Sequence, residues 1–293
     1  MQARTTAWAQ HYGLLATDAE VARFTKRAYG ILMAHAYPTA DFERLAVIAD
    51  WNTWLFALDD QCDEETLGRD LTAMTVVHDR ILAIMDGTRP DATAPQYLHA
   101  FADLVARMHT LQPAAWLQRL RRELAAYFRA NHWESHNRMA GIVPTETDYL
   151  TQRPYTGAVY CYITLIELAQ QIMLPDHVMA DPTIHRIAEI TNQSICWSND
   201  CISLQKELAG GDVHNLVYIL YYHGWSLTDA IQEVVRRHDA VVAEFVTLRD
   251  QTPADPTVQT YLDGMAAWMR ANLEWSAATS RYHPRLDAHH LGR

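Results

Sequence analysis

Five carboxylates, Asp59, Asp60, Asp63, Glu64 and Glu65, stand within one short stretch, and no lysine or arginine occurs between Arg44 and Arg69. The residues ahead of them, Leu45, Ile48, Asn52, Leu55 and Phe56, recur every three or four positions and so share one helical face. Continued, that face reaches Asp59 and Asp63, with Asp60 beside it. An acidic run alone is usually a solvated helix end. Carboxylates on an apolar face, however, are costly to bury unless they are protonated or meet cations. A hard divalent cation taking oxygens at i and i+4 would neutralise them if no distant arginine does.

A second row lies far downstream, in residues 187–208. Ala188, Thr191, Ile195 and Asn199 trace one helical face, and Ser203 and Glu207 follow at successive i+4 steps. An amide, a hydroxyl and a carboxylate thus line up as oxygen donors, with no basic residue between Arg186 and Lys206. Such polar spacing alone is most often a solvated face, but here too it continues an apolar stripe. Two oxygen-rich rows ending two buried stripes imply a cavity between helices with a metal cluster at its mouth. Magnesium held by a few carboxylates keeps open positions that phosphate oxygens fill, so the expected substrate is a phosphate or diphosphate. Arg153, Lys206 and the pair Arg281–Tyr282 are candidate donors to it. Phe56 and Trp275 are candidates for an aromatic wall below the metals, although core packing explains any single aromatic at least as well. Metals above an aromatic pocket suit one chemistry: ionising an allylic diphosphate and holding the carbocation against π faces.

The elements that position these rows are helices. Periodicity near 3.6 dominates and no alternating strand pattern bounded by hairpin turns occurs, so the expected fold is all-α. Prolines and small polar clusters divide the chain into about ten helices. No linker, composition shift or repeat splits the 293 residues, so residues 1–293 are read as one domain, with 49% hydrophobic residues to fill its core. No apolar run approaches the roughly 18 residues of a membrane span, the first residues lack a secretory apolar segment, and a cytoplasmic protein without membrane insertion is expected. Cys62, Cys161, Cys196 and Cys201 form no CxxC pair and read as reduced structural thiols. The formal charge of −11 argues against nucleic-acid partners, and the basic cluster of Arg119, Arg121 and Arg122 reads as a solvated helix face.

Together these motifs resemble the bacterial class I terpene synthases, and among them the sesquiterpene synthases. DDQCDE from Asp59 to Glu64 resembles the family's DDxxD(E) motif, NDCISLQKE from Asn199 to Glu207 its NDxxSxxxE triad with a lysine before the glutamate, and Arg281–Tyr282 its C-terminal RY pair. WESHNRMAGIVPTETDYLTQRPYTGA, residues 133–158, is similar to the segment in which the family carries its diphosphate-sensing arginine, here Arg153. The resemblance runs from about residue 40 to 285. It implies a single α domain built as a helical bundle around a central active-site cavity. Asp59, Asp60, Asp63, Asn199, Ser203 and Glu207 would hold Mg2+, three ions in the family pattern with Mn2+ as a substitute. Arg153, Lys206, Arg281 and Tyr282 would bind the diphosphate. Arg153 with Thr156 and Gly157 would trigger ionisation, and Phe56 and Trp275 would face the cation. The resemblance also admits a homodimer.

The implied reaction ionises a linear isoprenyl diphosphate, farnesyl diphosphate first, releases pyrophosphate, and cyclises the cation to a terpene hydrocarbon or alcohol. Geranyl and geranylgeranyl diphosphate are alternative substrates. A chain-elongating prenyl diphosphate synthase would repeat DDxxD where this chain has Asn199-Asp200-Cys201-Ile202-Ser203. A non-catalytic helical binding protein would have no reason to combine both ligand rows with these basic residues. Thr156 departs from the family, which often places an aspartate three residues after the sensor arginine. Pro154 removes a helical N–H and is expected to break the helix beside Arg153.

Overall fold

The structure, a computed structural model, describes residues 1–64 and 66–282, and the side chains outside positions 61–67. Fourteen α-helices and no strand occur among the described residues. The first three, α1 (Gln2–His11), α2 (Asp18–Arg27) and α3 (Tyr29–Ala36), precede the long α4 (Phe42–Glu64). After a short 3-10 turn, Thr66–Arg69, come α5 (Leu71–Met85), α6 (Gln96–Leu111), α7 (Ala114–Ala140), α8 (Glu146–Thr156) and α9 (Val159–Gln170). The remainder is α10 (Asp176–Met179), α11 (Pro182–Gly210), α12 (Leu216–Tyr222), α13 (Leu227–Gln251) and α14 (Pro256–Ala278).

Local chemistry sets most of these ends. Asp181 and Asp255 each accept two backbone N–H groups at the starts of α11 and α14, and Pro182 and Pro256 occupy the first helical position, where a missing N–H is harmless. Thr17 and Glu20 form a reciprocal capping box on α2. The helices number fourteen rather than ten partly because Ala28, Ala158 and Gln171, none of them glycine, turn the chain in the left-handed region. Such ends leave no mark for a reading based on Gly and Pro. Nor does Pro154 break α8 at once; the helix runs on to Thr156, and the Pro154 carbonyl accepts from the Asn192 amide at 2.8 Å.

Helix α9 is buried on nearly all sides and packs against α4, α7, α8, α11 and α14, the position expected of a helix that is apolar all round. Helix α4 lies against α1, α3, α6 and α9. One of its sides carries Trp51 and Trp54 into contact with Phe101 of α6; the other faces a cavity. Asp50, fully buried, is held by Arg4 of α1 and by Arg107 of α6 at 2.7 Å. Arg119 corrects the expectation of a solvated basic face: it is buried and paired with Glu167 of α9 at 2.7 Å. That partner lies 48 residues away, so local sequence gives no hint of it. Arg121 remains at the surface, paired with Asp86. Cys161, Cys196 and Cys201 are free thiols, and Cys62 falls outside the described side chains. No helix among the described residues is long and apolar enough to cross a membrane.

Candidate active site

A cavity of about 800 Å3 opens between α3, α4, α7, α8, α9, α11 and α14. Asn52, Leu55, Phe56 and Asp59 line it from α4, and Ile195, Asn199 and Glu207 from α11, so both expected stripes face the same space. Arg153, Thr156, Gly157, Lys206, Trp275, Arg281 and Tyr282 also line it. The structure therefore brings together most of the residues singled out in the sequence. Asp60 and the buried Ser203 are not among the lining residues, and Asp63 has a backbone within α4 and a side chain outside the described set.

The acidic end of α4 does have cationic partners, and they come from far away in the chain. Arg27, the last residue of α2, meets Asp60 at 2.6 Å, and Arg281 meets Asp60 at 3.0 Å and Asp59 at 3.6 Å. Burial pushes the Asp60 carboxyl up, but Arg281 and Arg27 outweigh it and hold the group below its usual value. Asp59 goes the other way: burial dominates and raises it, Asp60 adds to the rise, and Arg281 only partly offsets them. Tyr127 of α7 donates to Asp59 Oδ1 at 2.9 Å.

On α11 the polar row is tied to its own helix and its neighbours. Ser203 donates to the Asn199 carbonyl at 2.7 Å, and Glu207 Oε2 accepts from Asn215 Nδ2 at 2.7 Å. Burial, with Asp200 as the second cause, pushes Glu207 up to about 7. Arg153 donates to Asn199 Oδ1 at 2.9 Å and to Asp200 Oδ1 at 2.7 Å. Asp200, absent from the expected ligand set, is fully buried and also accepts from Tyr149 and from the Leu216 N–H. Burial raises its carboxyl, and Arg153, Tyr149 and the Leu216 N–H pull it back. Its role is to fix Arg153, whose guanidinium stays well above its ordinary value. Thr156, standing where an aspartate is usual, still reaches Arg153, its hydroxyl 3.4 Å from Nη1. Gly157 packs so closely that a Cβ there would lie 2.8 Å from Cys196 Sγ, and Ala158 follows it in the left-handed region.

The C-terminal pair spans the two rows. Arg281 holds the α4 aspartates, while the Tyr282 hydroxyl accepts from Asn199 Nδ2 at 2.8 Å. Phe56 stacks on Tyr29 with centroids 4.3 Å apart and lies 4.7 Å from the Arg281 guanidinium, so part of its π surface already meets a cation. Trp275 donates to the Arg27 carbonyl at 2.7 Å and contacts Tyr282 edge-on. Asp200, Tyr127 and Arg27 were missed in the sequence. For Asp200 a signal existed, since it stands next to Asn199; Tyr127 and Arg27 become neighbours of the aspartates only through the tertiary fold.

The donor set fits a hard divalent cation. Asp59 and Glu207 are carboxylates whose ionised forms burial disfavours, so a cation would relieve them, and Asn199 and Ser203 add neutral oxygens. Among the described residues no three His, Cys, Asp or Glu side chains converge as a metal group on their own; the set is mixed.

All-α packing, a large central cavity and facing oxygen rows define a class of enzyme, and sequence comparison agrees. Residues 50–244 match the terpene synthase family 2, C-terminal metal binding. The chain belongs to the terpene synthases: it is a lyase acting on diphosphates and binds divalent metal. It is 41% identical to the (+)-T-muurolol synthase of Roseiflexus castenholzii, which cyclises (2E,6E)-farnesyl diphosphate, over 96% of this chain and 87% of that one. It is 34% identical to the germacrene A synthase of Nostoc punctiforme over 94% and 87% of the two chains. The crystal structure of germacradien-4-ol synthase from Streptomyces citricolor superposes with a TM-score of 0.81 at 28% identity, covering 94% of this chain and 92% of that one.

Proposed function

We propose that this terpene synthase is a single-domain, cytoplasmic, Mg2+-dependent enzyme that ionises farnesyl diphosphate and cyclises the resulting cation. The observation that carries this reading is the facing of Asp59 and Asn199–Glu207 across one cavity whose wall also presents Arg153, Lys206 and Arg281. The farnesyl substrate named for the 41% identical T-muurolol synthase supports a fifteen-carbon substrate.

In this reading Asp59, Asp60, Asp63, Asn199, Ser203 and Glu207 hold Mg2+, three ions in the full complement. Bound there, the metal supplies Lewis-acid charge to the departing diphosphate. The chain's own donors do the rest. Arg153, held by Asp200, presents its guanidinium toward the diphosphate oxygens. Arg281, paired with Asp59 and Asp60 in the structure, would turn to the diphosphate oxygens when those two carboxylates hold a metal. Lys206 and Tyr282 complete the clamp. Thr156 and Gly157 shape the helix end beside Arg153, and Phe56 and Trp275 wall the space where charge develops once water is excluded. A homodimer is compatible with this arrangement.

The test incubates purified protein separately with geranyl, farnesyl and geranylgeranyl diphosphate and Mg2+, measuring pyrophosphate and the organic products. Cyclic fifteen-carbon products from farnesyl diphosphate are expected. Undiminished turnover in excess chelator would overturn the metal assignment, and exclusive use of another chain length the substrate assignment.

A further inference from the structure

Helix α13 is apolar on two faces and buries one. Ala230, Val234, Val241 and Phe245 are its buried residues, and its packing partners are α11 and α12. One residue after each of these, about 100° further around the helix, come Ile231, Val235, Val242 and Val246. Val242 is half-buried and the other three are exposed. Branched side chains are poor choices for an open helical surface, where they lose rotamer freedom and leave apolar area in water. Four of them in one stripe call for a covering surface.

The spacing of the stripe says what that surface is. Ile231, Val235, Val242 and Val246 stand four, seven and four residues apart, a pattern that reads the same in both directions. Laid antiparallel across a two-fold axis centred between His238 and Asp239, a second copy of the helix brings its Val242 opposite Val235 and its Val246 opposite Ile231. Such self-complementarity is what an isologous interface demands. The charges agree. Arg236 and Asp239 lie one turn apart beside the stripe, with side chains 67% and 73% exposed. In the antiparallel register the partner's Asp239 stands level with position 238, about 3 Å along the axis from Arg236 at 1.5 Å per residue. Two Arg236–Asp239 pairs then form about the axis, whereas a parallel pair of helices would set Arg236 against Arg236 and Asp239 against Asp239.

We propose that the outward stripe of α13 is the surface on which two copies of this chain associate, antiparallel and two-fold symmetric. The size of the stripe sets the strength. At 25 residues α13 is about 37 Å long and about 10 Å across, roughly 370 Å2 for each copy. That is about half of the roughly 800 Å2 that a standard interface takes from each partner. The dimer is therefore reversible, forming at protein concentrations on the order of 10 µM and dissociating on dilution.

Sedimentation equilibrium between about 1 and about 200 µM tests the proposal, with circular dichroism on every variant. The wild-type protein is expected to pass from monomer to dimer across this range. Val235→Lys and Val242→Glu are each expected to weaken association at least about tenfold, because each sets a charge against an apolar residue of the partner. The double variant Val235→Lys/Val242→Glu places the two new charges opposite each other across the axis and is expected to recover most of that loss. If Val235→Lys does not fold, Asp239→Arg decides in its place: it removes both charge pairs, gathers like charge about the axis and is expected to weaken the dimer about tenfold. A protein that stays monomeric throughout the range overturns the proposal. So does a dimer that the folded single variants leave intact, which would lie on another surface, and so does a double variant that associates no more tightly than the singles, which would exclude the antiparallel register.

Discussion

The two oxygen rows of the cavity differ in how they are held. At the end of α4, Asp60 is about a quarter exposed and its ion pairs come from α2 and from the chain's C-terminal segment. On α11, Asp200 is completely buried, and Arg153, Tyr149 and the Leu216 N–H fix it in the middle of a long helix. One row is secured by ion pairs from two distant segments, one arginine partly exposed and one buried, and the other by an internal network. Under the proposed function the asymmetry would serve two needs: a rigid wall that keeps Arg153 aimed, and an opposite wall whose arginines change partners. Arg281 and Tyr282, adjacent in sequence, touch one wall each and so couple them.

The largest expected effect tests the rigid wall. Asp200→Ala strands the Arg153 guanidinium, and breaking a buried pair typically costs about 3–5 kcal/mol of stability. Asp60→Ala leaves Arg281 beside Asp59 and leaves Arg27 partly open to water, and is expected to cost less than Asp200→Ala. Urea unfolding of both variants, with equal m-values, measures the contrast; similar losses would show the two walls to be alike. Next in size is Arg153→Lys. A lysine cannot reproduce the planar fork, and losing one aimed donor to developing charge costs about 3 kcal/mol, or on the order of a hundredfold in pyrophosphate release. A Lys variant as fast as the parent would take Arg153 out of the reaction.

A third expectation concerns pH and the α4 side. His78 of α5 is buried against Phe128, and its Nδ1 lies 3.0 Å from His132 Nε2 of α7. Burial, and secondarily His132, holds His78 down at about 3. Below its unfolded value near 6.5 the unfolded chain binds a proton that the folded one refuses. The contribution is therefore complete above about pH 6.5 and is lost as the pH falls toward 3, at about 1.4 kcal/mol per unit. His132, also lowered, acts in the same direction. Helix α7 carries Tyr127, and its Ser135 donates to the Gly68 carbonyl just beyond α4 at 2.7 Å. Hydrogen exchange at pH 5 should thus rise in α5 and α7 before α11, and His78→Phe should flatten the pH dependence of stability between 7 and 5.

The rows themselves were legible because a helix repeats its face every three to four residues, so Leu55, Phe56 and Asp59, or Ile195, Asn199 and Glu207, declare a shared direction without any knowledge of the fold. The partners were not. Arg27, Tyr127 and Arg281 reach the α4 aspartates across 33, 68 and 221 residues, and periodicity carries no information at such separations. The same limit hid the burial of Arg119. Helix ends at Ala28 and Ala158 escaped for a different reason: their left-handed turns fall on alanines, a residue type that prefers the right-handed region. The C-terminal pair was legible only as one candidate donor pair among several, since nothing local ties Arg281 to the α4 aspartates or Tyr282 to Asn199.

The smallest expected effect bears on the α4 wall alone. Tyr127→Phe removes the hydroxyl that donates to Asp59 Oδ1 at 2.9 Å and keeps the ring, which packs beside Phe128. The loss of one such hydrogen bond is worth about 1–1.5 kcal/mol, a five- to tenfold change. Where it appears distinguishes two roles. If Tyr127 orients Asp59 for metal, the change falls on the Mg2+ concentration needed for half-maximal pyrophosphate release, because an unoriented carboxylate must first be ordered by the ion itself. If Tyr127 only fills the core, thermal stability drops and the Mg2+ requirement stays where it was. The corresponding loss on the α11 side, Tyr149→Phe, removes a donor to Asp200 that is already held by Arg153 and a backbone N–H, so its Mg2+ requirement should move less than that of Tyr127→Phe. Equal shifts in the two variants would mean that both walls are positioned to the same degree.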